Sequence, residues 1–222
     1  MSKYCVSKLW DDLCKELKEK NRFFTQDKII DILKDIKFES FFPDEKEDVL
    51  YRARIGNFLN QNDSEILAPP KEITLDGRCN PKGIPYLYLS TDIYTAISEV
   101  KPNPFEDVTV AKLSVDLTNI LSLKPYSYEK ITCFWENLTE EQIELIKCID
   151  NGMSRKINDK SKLEYLPFQY IAEYIKNIGF NGFLYSSTVG AGYNLVMFDW
   201  ENKVKVIEKT KFKVKSVKYN FE

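Results

Sequence analysis

The sequence predicts an α+β fold built on a mixed or antiparallel sheet. Three observations carry this. Strand-like segments come early and late, with helical ones inserted between, so no regular βαβ series forms. No GxGxxG fingerprint and no GxxxxGK[ST] loop is present, which excludes a Rossmann or P-loop site. The 222 residues are 43% hydrophobic and 14% aromatic, enough for one sizeable domain with an extension.

The elements follow in chain order. Residues 7–20 place Leu9, Trp10, Leu13 and Leu17 at helical spacing, and residues 27–36 repeat this with Ile29, Ile30, Ile32, Leu33 and Ile36. The FFPDEKED run then breaks the pattern. Residues 1–47 therefore read as a helical extension, and 48–222 as the main domain. Residues 48–55 (DVLYRARI) alternate as a strand, with Val49, Tyr51, Ala53 and Ile55 on one face and Leu50, Arg52 and Arg54 on the other. A long stretch with little periodicity follows, of the kind that is functional or disordered. Residues 84–89 form a second strand, and STDIYTAISEV a helix with Ser90 as N-cap. Residues 107–114 read as a strand. Helices are expected at 128–136, 139–153 and 163–178, the second opened by a Thr139…Gln142 capping box. Strands are expected at 182–187, 194–199, 203–208 and 211–219.

Composition narrows the chemistry. A net charge of −2 gives no global basic field, so direct nucleic-acid binding is not expected. No apolar run reaches membrane-span length and the N-terminus lacks a signal-peptide core, so a cytoplasmic protein without membrane contact is expected. The five cysteines form no CxxC pair, which fits free thiols in a reducing compartment. The histidine count is zero. Ser-His-Asp and Cys-His catalysis are excluded, and a metal site is not expected. Acid–base work falls to carboxylates, Tyr, Lys or substrate groups. Only five of the 32 basic residues are arginines, and Arg52, Arg54 and Arg78 lie close together in sequence. Arg52 and Arg54 would project from one strand face ~7 Å apart, which suits a shared anion. Two solvent-facing charges at a sheet edge is the alternative.

Three ordered blocks stand out: LYRARIG at 50–56, GRCNPKGIPYLYLSTDIYTAISEV at 77–100 and GFLYSSTVGAGYNLVMF at 182–198. Together they resemble the RES domain family, over roughly residues 48–208. The Arg, Glu and Ser that give the family its name correspond to Arg52, Glu99 and Ser187. The resemblance implies an ADP-ribosyltransferase-like fold with a split sheet and surrounding helices. It also implies consumption of NAD, by hydrolysis or by phosphorolysis with inorganic phosphate as co-substrate. No further cofactor is implied. A toxin or defence role, paired with an Xre-like antitoxin, is implied as well; a homo-oligomer stays open.

On that reading Glu99 stabilises an oxocarbenium-like ribose, because the nicotinamide leaves neutral and needs no strong acid. Arg52 leads as clamp for the pyrophosphate, with Arg54 and Arg78 secondary. Arg78 could instead hold the GRCNP loop through carbonyls. Tyr88 would stack on nicotinamide or adenine and Tyr51 would line the pocket, with core packing a rival for each. Ser187, chosen over Ser186 from the Y-x-S spacing, would bond ribose or the nicotinamide amide. It cannot be a conventional activated nucleophile without a histidine. Asn80 and Asn194 read as loop and strand-end supports. Two alternatives remain: a protein ADP-ribosyltransferase, and a catalytically silent nucleotide-binding module.

Overall fold

A computed structural model describes residues 5–25, 28–38, 47–123, 137–155 and 162–217. The helix expected at 128–136 lies outside these residues. Helices α1 (Val6–Glu19) and α2 (Lys28–Asp35) form as their periodicity requires. Val6, Trp10, Leu13 and Leu17 of α1 and Ile29, Ile30 and Leu33 of α2 are buried along single stripes. Helix α3 is Ile93–Glu99, α4 is Glu140–Ser154 and α5 is Leu166–Asn177. The capping box of α4 is present as expected: Thr139 Oγ1 accepts from Gln142 N, and the Gln142 side chain accepts from Thr139 N. Helix α5 is preceded by a 3-10 turn at Lys162–Tyr165.

Seven strands form one sheet: β1 Glu47–Ile55, β2 Leu87–Ser90, β3 Asp107–Asp116, β4 Ile120–Ser122, β5 Gly182–Ser186, β6 Tyr193–Met197 and β7 Val204–Lys213. Their order is β4-β5-β6-β2-β1-β3-β7, antiparallel except for β4 against β5. The class is α+β, as the sequence predicts. β1 and β3 pair along their length, from Glu47↔Asp116 to Ile55↔Val108. β1 and β2 pair only at Tyr51↔Ser90. The sheet is thus two halves joined at one register position.

Four details differ from expectation. β2 starts at Leu87 rather than Ile84, because Pro85 has no N–H to donate and Ile84 N turns back to Pro81 O. Ser90 is not the cap of α3. It ends β2, paired with Asn194, so the extended backbone runs on and Asp92 caps instead, accepting from Thr95 N at 2.8 Å. The two strands expected at 203–208 and 211–219 are one strand, β7. Its register against β3 shifts between Lys112↔Glu208 and Leu113↔Val206, leaving Ile207 as the extra residue of a β-bulge. The bulge turns Val206 toward one face of the sheet and Phe212 toward the other, which disguises a continuous strand as two. β4, a parallel strand of three residues, had no periodic signal.

Each sheet face has its own cover. On one face α1, α2, α4 and α5 share a core with Phe183, Tyr185, Val196 and Phe198. On the other, Leu50, Leu87, Leu89, Leu113, Leu195 and Met197 pack under Ile66 and Ala68 of the 56–86 segment. That segment, aperiodic in sequence, is thus packed rather than free: its first part covers this face, while Cys79 and Tyr86 toward its end join the helical core on the other. A third cluster joins Ala53, Val108 and Val110 to Ala96 of α3.

Candidate functional site

Helix α3 ends at Glu99, an exposed residue. Its Oε1 accepts two hydrogen bonds, from Ser187 Oγ at 2.8 Å and from Asn194 Nδ2 at 2.6 Å. Asn194 is itself fixed, its Oδ1 accepting from Ser90 Oγ at 2.8 Å. Glu99 Oε2 takes no hydrogen bond from any described residue. One oxygen is therefore held by two side chains and the other by none among the described residues.

Ser187 is the serine turned toward Glu99, and its hydroxyl is fully used. It donates to Glu99 and accepts from Val189 N and Gly190 N, both at 3.2 Å. Ser186 turns the other way, to Asp150 of α4. The turn after Ser187 lies flat on the start of α3. Gly192 N donates to Thr95 Oγ1 and Tyr193 N to Thr91 Oγ1. A Cβ on Gly190 would strike Thr95 Oγ1, and one on Gly192 would strike Asp92 Oδ2. The TVGAG sequence is glycine-bearing because nothing larger lets this turn reach α3.

Arg52 and Arg54 leave β1 on one face, as alternation predicts, and both hold backbone. Arg52 Nε donates to Ile66 O at 2.7 Å and its Nη1 to Tyr88 O at 2.8 Å. Arg54 Nη1 donates to Glu65 O. Burial first, and the Arg54 charge second, pull the Arg52 guanidinium down to about 10. No carboxylate pairs with either arginine among the described residues. Because Tyr51 is the residue paired with Ser90, Tyr51 shares the face of Ser90 and Asn194, and Arg52 starts from the opposite one.

Arg78 lies on the Glu99 side. Its Nη1 donates to Met153 O and to Arg155 O, the latter at 2.9 Å, and so closes the C-terminus of α4. It thus holds carbonyls, those of α4 rather than of its own loop. Burial pushes the Tyr185 phenol well above its usual range; Cys79 and Glu99 push the same way, and Arg78 opposes them. The Tyr185 hydroxyl thus feels both Glu99 and Arg78. Tyr88 is committed elsewhere: its hydroxyl donates to Asn80 Oδ1 at 2.8 Å and accepts from Cys79 N. Gln169 Nε2 of α5 reaches Gly77 O and Asn80 O, completing the anchor of the GRCNP loop.

The sequence thus points to Glu99 and Ser187, which meet, and to Arg52, Arg54 and Tyr88, which hold loops and strands. It does not single out Tyr185 or Asp150, whose motif is an ordinary buried strand or helix position. A cavity of about 360 Å³ beside Tyr86, Lys176, Phe198 and Trp200 shares no residue with this network. Among the described residues no group of His, Cys, Asp and Glu could hold a metal ion, and no helix is long and apolar enough to cross a membrane.

A solved structure of an M. tuberculosis MbcT–MbcA toxin–antitoxin complex matches over 76% of this chain and 85% of that chain, at 13% identity and a TM-score of 0.44. No curated protein matches the chain. The RES domain model matches residues 49–216, a span that takes in Arg52, Glu99, Ser187 and Asn194, and the chain belongs to the RES domain family.

Proposed function

We propose that this protein cleaves the nicotinamide–ribose bond of NAD and passes the ribose to water or inorganic phosphate. The observation that carries the reading is the half-held carboxylate of the exposed Glu99: Oε1 is pinned by Ser187 and Asn194, and Oε2 takes no hydrogen bond from any described residue. A bond whose leaving group departs neutral needs charge stabilisation at the ribose more than acid catalysis. A pre-oriented carboxylate oxygen supplies that without reorganising during the reaction. Ser187 then acts as a positioning residue, since its donor and both acceptor sites are taken up by Glu99 and the turn amides.

The pyrophosphate needs donors. Arg52 is the first choice, with Arg54 beside it: a desolvated guanidinium next to a second cation and without a carboxylate partner favours an anion. Reaching it requires the phosphates to enter where β1 parts from β2 beside Ser90. Arg78 is the rival clamp, because it shares the side of Glu99. Tyr51, on the same face as Ser90, is proposed to line the ribose or base pocket. Tyr88, by contrast, would contribute through its ring, its hydroxyl being spent on Asn80. We propose further that the activity depletes NAD in the cytoplasm as a toxin or defence effector, silenced by an Xre-like antitoxin.

The test is product analysis of an NAD digest by the purified protein. Nicotinamide with ADP-ribose is expected, and nicotinamide with ADP-ribose-1″-phosphate when phosphate is added. Release of no nicotinamide under either condition would leave a nucleotide-binding module. Transfer of label from NAD to protein would make the chain an ADP-ribosyltransferase.

A further inference from the structure

Asp150 is a buried carboxylate, 7% exposed, in the middle of an apolar helix face between Ile149 and Met153. A charge in such a place is costly unless it is bonded on both oxygens. Both of its oxygens go to one residue. Oδ1 accepts from Ser186 N and Oδ2 from Ser186 Oγ, each at 2.9 Å. One helical turn later Ser154 Oγ donates to Ser186 O at 2.8 Å. The positions i and i+4 of α4 thus grip the N–H, hydroxyl and carbonyl of a single residue. The next residue is Ser187, whose hydroxyl holds Glu99.

We propose that Asp150 is a positioning residue for the Glu99 site: it fixes the end of β5 so that Ser187 Oγ stays on Glu99 Oε1. This rests on the NAD-cleavage reading for its kinetic consequence, though not for its geometry. The arrangement makes sense of an otherwise unfavourable choice. Strand β5 ends at Ser186, and beyond it the chain must turn at once toward α3. Without a clamp the strand end is held by its ladder to β6, whose last pair is Ser186↔Tyr193, and by one long bond beyond it, from Ser187 N to Gly192 O at 3.4 Å. The α4 clamp is anchored in turn, because Arg78 closes the helix end through Met153 O and Arg155 O. Asp supplies what Asn supplies only by turning one contact around: an Asn would accept from Ser186 N and donate to Ser186 Oγ.

The experiment has two readouts on Asp150→Ala, Asp150→Asn and Ser186→Ala. The first is steady-state NAD cleavage. Asp150→Ala should lower kcat at least ~10-fold with KM within ~3-fold, since a small misplacement costs rate more than binding. Asp150→Asn should recover to within ~3-fold of wild type. The second is amide hydrogen exchange at Val189 and Gly190, the two N–H groups that donate to Ser187 Oγ. Their exchange should speed up at least ~10-fold in Asp150→Ala and stay near wild type in Asp150→Asn. Should Asp150→Ala not fold, Ser186→Ala, which keeps the backbone bond, should show the same two changes in smaller measure. Unchanged exchange at Val189 and Gly190 in the folded variants would overturn the proposal, whatever the kinetics. A wild-type protein that leaves NAD intact would sink the functional reading and not this one, because exchange is read without substrate.

Discussion

Glu99 is tied to the protein by one oxygen, so its two neighbours and its own charge can be tested separately. Glu99→Gln keeps the shape but cannot stabilise a developing cation. NAD turnover should fall at least ~100-fold with NAD binding preserved, the scale of losing one preorganised electrostatic group. Activity within a few-fold of wild type would remove Glu99 from the chemistry. The arginines separate in a similar way. If Arg52 is the clamp, Arg52→Lys should weaken NAD binding in a calorimetric titration more than Arg78→Lys does, because a point charge cannot replace a fork. The reverse order would move the phosphates to Arg78. The thiols offer a further check on the local chemistry. Hydrogen bonds from Ser7 and the Lys8 backbone lower the exposed Cys5 thiol, whereas burial pushes Cys14 and Cys79 up to about 12. Mild alkylation at neutral pH should therefore modify Cys5 before Cys14 or Cys79, as read by peptide mass mapping. Glu99 and Ser187 were legible in the sequence because a motif names them. Asn194 was read only as a strand-end support, and Asp150 not at all: their partners lie 95 and 36 residues away, and an Asn in a strand or an Asp in a helix carries no local sign of what it faces.

Helices and strands were most legible where their faces are simple. α1 has one buried stripe, and its spacing alone located it. Leu13, wholly buried there, sits in the same core as α4 and α5, so Leu13→Ala should cost about 2–5 kcal/mol in thermal or denaturant unfolding. At the exposed start of α4, Thr139→Ala removes one cap and should cost only about 1 kcal/mol. A loss in Leu13→Ala as small as that would mean the N-terminal helices are a loose appendage. Legibility failed where an element changes face or borrows its partners. β7 changes face at Ile207, so neither half of its pattern continues the other. The 56–86 segment has no period of its own because it is shaped by groups elsewhere, Arg52 and Arg54 among them, that take its carbonyls.

Across the whole molecule, the N-terminal helices and the RES-matched region share one apolar core. Deleting residues 1–47 would strip that core of Trp10, Leu13, Leu17 and Leu33 and bare the backs of α4 and α5. The truncated protein is expected to lose solubility before it loses catalytic groups, which a soluble-fraction assay alongside NAD cleavage would show. A fully soluble and active truncation would assign the helices to another partner. The order of the sheet carries a different consequence. β7 closes it on one side with ten residues whose far edge no described strand covers. Such an edge is a template on which a second chain can build a fibril. Here Lys205, Lys211 and Lys213 stand exposed along it, and a copy of the same strand would bring like charges together. The lysines and the bulge at Ile207 act as gatekeepers. Replacing all three with threonine should leave the fold intact while the protein becomes prone to salt-independent, thioflavin-positive aggregation on storage.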